Sequence, residues 1–436
     1  MNFRKFVKCF IPKKLFQKIE QKGHLVEAIL FNIVYLFPFR GLKVIGITGT
    51  NGKTTTALII HRMLQDAGYK CGLMTTVNYG FDEDLKSQPF HMTTVAVPLL
   101  ISRVKEMKKK GMDYLILETT SHALAQNRVW GIPFSIAVLT NITHEHISYH
   151  GTFDNYVAAK EKLFKLTNKN KKGLRAAVLN AEDLLCERFS KDVKNIITYG
   201  VQDGELRASS IQYTPTGSTF RVKYKDRAMQ LSCNIPGSFN VYNSLAAAGV
   251  GVILGLSDEQ IENGIAHLTN VEGRMTSIKE AKDFNLIVDY AHSPDSFEKL
   301  FKYIKPLVEG RLIIMFGSLG GGDIEKRFQQ GNLAGTFGDI VVLCEEDDRQ
   351  EDGDKIIEDI AIGARKAGKI DGKDLLKIHN RAQAIQFVVN MAQKNDTVLL
   401  LGKGHEKTIE HADGEHSWNE IEEAKKALRH RVLFQR

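Results

Sequence analysis

A glycine-rich turn, residues 49–55, carries the residue types best suited to hold a phosphate group. An apolar run, Leu42 to Ile47, precedes the turn and predicts a buried strand, and an apolar pattern with helical spacing follows it. Backbone N–H groups of such a turn, together with the positive end of the helix, face an anion. Lys53 would neutralise the outer phosphates and the Thr54 hydroxyl would hold Mg²⁺. The turn consists of Gly49, Thr50, Asn51, Gly52, Lys53, Thr54 and Thr55.

The turn departs from the strict P-loop pattern at one position. Ile47 stands where that pattern has a glycine, and the glycine is Gly46. A Gly-Lys-Thr sequence alone is weak evidence, because lysine after glycine is common at helix starts. The succession of strand, turn and helix favours phosphate binding, and an ordinary strand–helix turn is the alternative.

Two polar clusters follow the next apolar runs, where the strand ends of a parallel sheet should meet. Glu118 comes directly after one run and suits either the metal of a bound nucleotide or a helix N-terminus. His144 and His146 resemble a metal pair, but a transition-metal site would need more ligands than this region offers. We therefore interpret one histidine and Glu118 as neighbours of Mg²⁺. Lys160 lies in a stretch with helical spacing, and this pattern alone predicts that its side chain faces solvent.

The second half of the chain also contains groups of polar residues that suit a binding site. Asn240 and Asn243 lie one helical turn apart, so their amides share a face that suits a base, a ribose or a phosphate; helix capping is the alternative. Three more polar clusters follow strand-like runs or glycines, at residues 289–295, 323–327 and 402–406. Each alone is an ordinary loop. Together they place acid, base and amide groups on one edge of each of two α/β units.

The elements that must position these residues are predicted by apolar runs alternating with helical patterns. This alternation indicates parallel sheets with right-handed crossovers. Residues 204–232 instead suggest antiparallel hairpins, and the polar stretch Asn78 to Met92 suggests an exposed loop. The strand–helix rhythm restarts at Asn285, which predicts a second α/β unit with its boundary near residues 271–274. A chain of 436 residues is long enough for two or three domains.

Composition narrows the choice of partners. The net charge is +8, but the basic residues are scattered, which favours small anionic substrates over nucleic acid. Five cysteines without zinc spacing indicate a reducing, cytoplasmic setting. No apolar run reaches the length of a membrane span. An apolar stretch, Leu25 to Phe39, follows a basic one and predicts a docked helix pair; weak association with a membrane surface is the alternative.

These clusters, in this order, resemble those of the Mur ligases, the ATP-dependent amide ligases of peptidoglycan precursor synthesis. The resemblance covers residues 41–430. It implies an α/β fold with a P-loop central domain and mainly parallel sheet, residues 41–271, and a Rossmann-like C-terminal α/β domain, residues 272–436. Residues 1–40 would be a short helical segment in place of the family's UDP-binding domain, which leaves open how the uridine is held.

The resemblance implies a reaction in which a carboxylate attacks the γ-phosphate of ATP, forms an acyl phosphate and is then attacked by an amine. Lys53 would contact the β- and γ-phosphates, and Thr54 and Glu118 would hold one Mg²⁺. Glu118 and His146 would hold a second Mg²⁺. Lys160 matches the family's carbamylated lysine, whose carbamate supplies an anionic oxygen that lysine lacks. The expected catalytic residues are Lys53, His146 and Lys160.

The resemblance also implies the remaining binding residues. Expected nucleotide contacts, besides the turn itself, are Asn240, Asn243, Arg274, Asp289, Tyr290 and His292. The implied acceptor is UDP-MurNAc-L-Ala-D-Glu, and its expected contacts are Thr93, Thr94, Thr120, Gln126 and Arg128. The second substrate is an amino acid, and the expected contacts on this side are Asp323, Arg327, Arg349, Gly402 and Glu406.

Besides the short segment 1–40, the chain departs from the family pattern at two further places, and the first of them leaves the amino acid open. The motif Asp-Asn-Pro-Arg, which selects diaminopimelate, is here Glu346-Asp347-Asp348-Arg349. Gly322 replaces an arginine, and Glu145 replaces an aspartate before the metal histidine. The added residue is therefore diaminopimelate, lysine or another amino acid. The alternatives for the whole protein are a folylpolyglutamate synthase-like ligase and a nucleotide-binding ATPase without ligase activity. We expect a cytoplasmic monomer.

Overall fold

The computed structural model describes residues 13–89, 92–214, 216–321 and 324–434, with the backbone alone at 13–22, 148 and 432–434. The chain forms two compact units. The first contains the described residues up to Gln212, with Thr219–Cys233 and Asn240–Leu268. The second contains Tyr213–Ser218, Asn234–Phe239 and the described residues from Thr269 onward.

A mainly parallel sheet forms the centre of the first unit. Its strand order is β11-β10-β9-β8-β7-β6-β1-β5-β2-β3-β4 within the described residues. Strands β1, β2 and β5 to β9 pair in parallel, and β2, β3 and β4 pair antiparallel. The strands are β1 Lys43–Thr48, β2 Cys71–Met74, β3 Asn78–Phe81, β4 Asp84–Ser87, β5 Tyr114–Glu118, β6 Phe134–Leu139, β7 Ala176–Asn180, β8 Asn195–Gly200, β9 Leu206–Thr214, β10 Gly217–Tyr224 and β11 Arg227–Cys233.

Helices connect these strands, as the alternating sequence pattern predicts. Thr120 and Thr152 begin two of them by accepting a backbone N–H of the first turn in their side chains. The helices are α1 Lys13–Val34, α2 Lys53–Asp66, α3 Val97–Lys109, α4 Ser121–Ala125, α5 Ile147–His150, α6 Phe153–Lys169, α7 Cys186–Ser190, α8 Phe239–Ile253 and α9 Asp258–Ala266.

Strand β1 lies between β5 and β6, so the three carboxyl ends that matter most adjoin. All residues of β1 after Lys43 are buried. A Cβ atom on Gly46 would meet Leu163 Cδ1 at 2.7 Å and the Phe134 ring at 2.8 Å. Gly46 is therefore a packing glycine under α6, which explains why the glycine that precedes the phosphate turn is displaced by one position from the strict pattern.

The second unit is built on a second mainly parallel sheet, with described strands in the order β12-β13-β17-β14-β15-β16. Only the β12–β13 pair in this sheet is antiparallel. The strands are β12 Thr276–Ser277, β13 Asn285–Asp289, β14 Leu312–Phe316, β15 Ile340–Leu343, β16 Leu375–Lys377 and β17 Thr397–Leu401, and a separate hairpin contains β18 Thr408–His411 and β19 Gly414–Ser417. The helices are α10 Pro294–Ile304, α11 Ile324–Phe337, α12 Gly353–Lys366, α13 Arg381–Met391 and α14 Glu420–Phe434.

The fold class is α/β, as predicted, but the sequence interpretation was wrong in one segment. Residues 78–92, expected as an exposed loop, contain the antiparallel strands β3 and β4. Strand β4 consists of polar, mostly exposed residues at the sheet edge, so it lacks the apolar alternation by which strands are recognised. Strands β7, β8, β12 and β16 and the β18–β19 hairpin were not predicted. The domain boundary near residue 271 stays a prediction, and the two units meet in the chain at Leu268 and Thr269.

Helix α1 contacts the first unit through one face. The buried Asn32 side chain donates to the Trp130 carbonyl oxygen at 3.1 Å. Four apolar side chains on other positions of the helix are more than half exposed: Val26, Leu30, Ile33 and Val34. Among the described residues, no helix is both long enough and apolar enough to cross a membrane.

Buried His61 should make the first unit sensitive to acid. It lies in α2, and Nε2 is 3.2 Å from the Cys71 carbonyl oxygen. Burial lowers the pKa of His61 to about 4, although the hydrogen bond to Cys71 opposes this shift. The unfolded chain therefore takes up this proton first as the pH falls. The free energy of unfolding should drop by about 2–3 kcal/mol from this residue between about pH 6.5 and about pH 4.

We expect His61→Gln to flatten this pH dependence, measured by urea unfolding at about pH 7 and about pH 4. The exposed His267, which pairs with Asp66 at 2.6 Å, provides the matched control His267→Gln. The control should keep the slope of the parent protein. A slope unchanged in His61→Gln would contradict the assignment.

Candidate functional site

The loop that follows β6 forms hydrogen bonds that fix the glycine-rich turn after β1. The Thr50 N–H donates to the Asn141 carbonyl oxygen at 2.7 Å, and the Asn141 side chain accepts from the Asn51 N–H at 3.0 Å. Gly49 and Gly52 have φ values of 145° and 84°, a region that favours glycine. The Lys53 ammonium donates to the Thr50 carbonyl oxygen at 2.7 Å, so its charge lies over the turn.

The asparagine pair of α8 packs against this turn. A Cβ atom on Gly52 would collide with the Asn243 side chain. Asn243 donates to Asn240 Oδ1 at 2.7 Å and accepts from the Thr56 hydroxyl at 3.3 Å, and both asparagines are buried. The structure therefore brings Asn243 next to the phosphate turn, as expected from residues that share one helix face.

Glu118 is a buried hub at the end of β5. Its Oε2 accepts the Thr54 hydroxyl at 2.9 Å, and it also accepts the backbone N–H and the hydroxyl of Thr76, at 2.9 and 3.0 Å. Only 2% of Glu118 is exposed. The parallel register of β1 and β5 sets this contact, because Ile47 pairs with Glu118 immediately before the turn. Thr54 and Glu118 thus offer hard oxygen atoms close together, the donor set that magnesium prefers.

Lys160 is buried beneath the same turn rather than solvated. Its Nζ donates to the Gly49 carbonyl oxygen at 2.6 Å and lies 4.6 Å from the centre of the Tyr156 ring. Only 2% of the residue is exposed. Burial lowers the pKa of Lys160 well below its ordinary value, and the charge of Lys53 lowers it further, while Glu145 and Glu118 oppose. The interpretation of Lys160 as a solvated-face residue is therefore wrong.

His146 belongs to a group of aromatic side chains beyond β6. It begins α5 with a left-handed backbone, φ 56°, and its Nε2 is 3.7 Å from Glu145 Oε2. Its ring centre lies 4.8 Å from that of His122. Burial lowers the pKa of His122 to about 3 and of His150 to about 4, and His146 adds to both shifts. The site predictions did not include His122 and His150, whose rings lie near each other and near His146.

The five residues expected on the acceptor side form one connected network with Glu118. The Thr94 hydroxyl donates to the Glu118 carbonyl oxygen at 2.9 Å and accepts the Thr120 N–H at 3.1 Å. The Thr93 hydroxyl lies 2.9 Å from that of Thr76. Arg128 is buried, and its guanidinium donates to the Gln126 side chain at 2.8 Å and to the Thr94 carbonyl oxygen.

In the second unit, the predicted nucleotide residues cluster at the end of β13. The Arg274 guanidinium lies 4.6 Å from the centre of the Tyr290 ring, and its buried Nε has no hydrogen-bond partner among the described residues. The Tyr290 and His292 rings lie 4.7 Å apart. Asp289 accepts the backbone N–H groups of Met275 and Ala291, each at 2.7 Å. Asp289 therefore fixes the turn that positions Tyr290 and His292.

The residues after β17 form a buried charge network. Lys403 is fully buried between Asp347 at 2.8 Å and Glu406 at 2.6 Å, and Glu406 also accepts the Tyr290 hydroxyl at 3.1 Å. Gly402 has φ 103°, and a Cβ there would meet Glu346 Oε2 at 2.5 Å. This arrangement brings residues 402–406 next to residues 346–349. Two stretches that bind one substrate are expected to lie together in this way.

The remaining predicted residues differ in their exposure and in their hydrogen-bond partners. Arg349 donates to Glu410 Oε2 at 3.0 Å, and the two side chains are 47% and 41% exposed. Arg327 is 1% exposed and donates to Glu351 and Asp359 at distances of 2.7 to 2.9 Å, so its charge is neutralised within the unit. Asp323 and Gly322 lie outside the described residues.

Comparison with known proteins identifies the family to which this architecture belongs. Residues 47–251 match the Mur ligase middle domain, and residues 273–404 match the Mur ligase glutamate ligase domain. A UDP-N-acetylmuramyl-tripeptide synthetase from Roseiflexus sp. (strain RS-1) is 38% identical over 407 residues, which cover 90% of this chain and 80% of the relative. The chain belongs to the Mur ligase family. Members are ATP-dependent, ADP-forming amide ligases.

Two further relatives support the assignment to the Mur ligases. A UDP-N-acetylmuramoyl-L-alanyl-D-glutamate–2,6-diaminopimelate ligase from Clostridium acetobutylicum is 36% identical over 405 residues, 91% of this chain and 80% of the relative. A solved structure of an enzyme with the same activity in its name has a TM-score of 0.63 and 28% identity, and covers 95% of this chain and 83% of that one. The resemblance and the α/β fold class are confirmed.

Magnesium is typical of Mur ligases, and the residues after β1 and β5 fit such an ion. Thr54 and Glu118 supply hydroxyl and carboxylate oxygens 2.9 Å apart, and His146 lies on the neighbouring loop. The Lys160 amine is the exception, because it offers a nitrogen atom where magnesium prefers oxygen ligands. Only a modified Lys160 would fit a magnesium site.

Proposed function

We propose that this Mur ligase adds an amino acid to UDP-MurNAc-L-Ala-D-Glu, with ATP cleaved to ADP and phosphate. The proposal rests on Lys160, which is buried under the phosphate turn and whose amine has a lowered pKa. A simple nucleotide-binding turn does not require a second, buried lysine. The names of the relatives that cover 90% and 91% of this chain support the choice of acceptor.

We further propose roles for the residues of the first unit. Thr54, Glu118, His146 and a carbamylated Lys160 would hold two magnesium ions, which neutralise phosphate charge when bound. Lys53 donates to the outer phosphates, and its position over the turn supports this role. Asn240 and Asn243 remain predicted nucleotide contacts, and so do Arg274, Asp289, Tyr290 and His292 of the second unit.

The acceptor contacts follow from the network around Glu118. We propose that Thr93, Thr94 and Thr120 bind the muramyl peptide and that Arg128 pairs with its carboxylate or phosphate. The guanidinium of Arg128 is already oriented by Gln126 and by the Thr94 carbonyl oxygen. An arginine held in this way loses little conformational freedom when it binds an anion.

One assay separates this function from its alternatives. Phosphate release from ATP is measured with UDP-MurNAc-L-Ala-D-Glu and a panel of amino acids that includes meso-diaminopimelate and L-lysine, and the product is weighed by mass spectrometry. We expect release only when acceptor and amino acid are both present. Release without any amino acid would indicate an ATPase. Release that requires a pteroylglutamate acceptor and glutamate would indicate a folylpolyglutamate synthase-like enzyme.

The choice of amino acid should depend on Arg349. In the free protein Arg349 pairs with Glu410 at the surface, and such a pair contributes only about 0–1 kcal/mol, so a substrate carboxylate can displace Glu410. If the amino acid carries a second carboxylate, we expect Arg349→Ala to raise its KM about tenfold or more and Glu410→Gln to lower it.

The KM for L-lysine, which has no second carboxylate, is the internal control for both variants. An unchanged KM for meso-diaminopimelate in Arg349→Ala would show that specificity lies in another pocket. Gly402 and Glu406 stay predicted contacts to the same substrate, as do Arg327 and Asp323.

We also propose that the enzyme works as a cytoplasmic monomer. The exposed apolar side chains of α1 favour a weak association of the enzyme with a membrane surface. Co-sedimentation with anionic vesicles, compared between the parent protein and Leu30→Ser, tests it. Equal sedimentation of the two proteins would remove α1 as the contact.

A further inference from the structure

A second group of metal-ligand side chains lies in the second unit, at the ends of β15 and β16. Glu345 and Asp348 follow β15, and His379 follows β16, its parallel neighbour. His379 Nε2 is 3.6 Å from Asp348 Oδ2 and 3.7 Å from Glu345 Oε2. One ligand atom from each residue lies within 4.8 Å of the other two. We call these three residues the β15–β16 cluster.

Burial makes this cluster different from a surface patch of acids. The side chains of Glu345 and Asp348 are 7% and 9% exposed. Asp348 Oδ1 is enclosed and has no hydrogen-bond partner among the described residues. Two carboxylates this close together and out of water repel each other, and a cation between them relieves that repulsion.

The cluster also contains the support that metal-binding histidines commonly have. His379 Nδ1 lies 2.7 Å from Asp354 Oδ1. A carboxylate on one ring nitrogen fixes the ring and leaves the other nitrogen free to ligate. Glu345 is oriented in a similar way, because Oε1 accepts the Arg381 N–H at 2.8 Å while Oε2 faces the histidine.

From this geometry we propose that the β15–β16 cluster binds a divalent transition-metal ion of the Zn²⁺ class. Tetrahedral bonds of about 2.0–2.2 Å bring neighbouring ligand atoms to about 3.3–3.6 Å, close to the separations observed. His411 Nδ1 lies 3.8 Å from Glu345 Oε2, at the edge of the cluster. The imidazole nitrogen of His379 favours zinc over magnesium, which prefers oxygen ligands.

A plain ion pair explains the geometry less well. His379 Nε2 lies 3.6 and 3.7 Å from the two carboxylates, beyond hydrogen-bond distance from either. A metal ion at the centre satisfies all three side chains together. It would also tie the loop 345–349, which carries Arg349, to the segment that begins α13.

The test is a titration of the chelator-stripped full chain with ZnCl₂ in excess MgCl₂, which fills sites made of hard oxygens. We expect one saturable Zn²⁺ equivalent, and we expect Asp348→Asn and His379→Gln each to weaken its binding by about tenfold or more. The matched control is His267→Gln, which removes a similarly exposed histidine with a carboxylate partner and should bind zinc as the parent does. Glu118→Gln should also keep the zinc equivalent.

Two readouts protect the test from misfolded variants. Near-ultraviolet circular dichroism compares the tertiary structure of each variant with that of the parent. Co²⁺ substituted into the parent protein should give the visible absorption of a tetrahedral site, and His379→Gln should lose it. The proposal is overturned if the parent binds no saturable zinc, if folded Asp348→Asn and His379→Gln bind it unchanged, or if Glu118→Gln abolishes it.

Discussion

Replacing Lys160 by alanine should lower kcat by about 10³-fold or more, because a carbamate at this position would supply an anionic oxygen beside the transferred phosphoryl group. The amine is prepared for this modification by its surroundings. Burial and the Lys53 charge lower the pKa of Lys160, which favours the neutral amine, the form that attacks CO₂. The nitrogen bonds to the CO₂ carbon and releases one proton to solvent.

The control for this variant is Lys162→Ala in the same helix. Lys162 is exposed, and its ammonium donates to the Leu124 carbonyl oxygen at 3.3 Å rather than to the turn. It should keep most of the parental rate. High bicarbonate or chloride should not restore Lys160→Ala to the parental rate, since neither anion is held in place by a covalent bond to the helix.

A purely structural role for Lys160 makes a different prediction. Its hydrogen bond to the Gly49 carbonyl oxygen would then stabilise the phosphate turn, and loss of the bond would weaken nucleotide binding as much as turnover. We expect the affinity for an ATP analogue to change much less than kcat. A carbon-13 carbamate resonance, formed from labelled bicarbonate in the parent and absent in Lys160→Arg, provides direct evidence. Full activity in Lys160→Ala would remove Lys160 from the metal site.

Local patterns predicted the elements around the phosphate turn because each is specified by neighbouring residues. The apolar run of β1, the glycines of the turn and the apolar spacing of α2 are all short-range signals, and the observed bounds agree within a residue or two. Strands β14, β15 and β17 are likewise short apolar runs that are fully buried. Strand β4 was missed because its residues are polar and edge-exposed, so no burial pattern marks it.

The environment of Lys160 could not be predicted from spacing. Helical periodicity places it on a face of α6, but the identity of that face depends on what the topology packs there. Here β1 and its turn lie over α6, and the lysine is buried under Gly49. His150 shows the same limit, because its ring reaches His122 only after α5 folds back over the strand ends. Long-range register decides both positions, and a single sequence does not reveal it.

Lys53→Ala should lower kcat/KM for ATP by about 10²–10³-fold, the loss typical when one preorganised cationic or hydrogen-bond donor is removed from a developing charge. In the free protein the Lys53 ammonium lies on the Thr50 carbonyl oxygen at 2.7 Å, at the mouth of the turn. It therefore needs only to exchange one oxygen acceptor for another when a phosphate arrives. Little reorganisation is required, which is the condition under which a fixed charge is most effective.

The matched control is Lys43→Ala at the opposite end of β1. Lys43 is exposed and contacts the Tyr114 ring, so its removal takes away an equal charge without touching the turn. We expect Lys43→Ala to stay within about twofold of the parent, which corresponds to the small effect of most surface substitutions. If Lys53 contributes only general positive potential, the two variants should lose similar activity at low salt and recover it similarly as salt is added. A large loss confined to Lys53→Ala that persists at low and high salt alike requires a direct contact with the phosphates, because a distant charge would be screened.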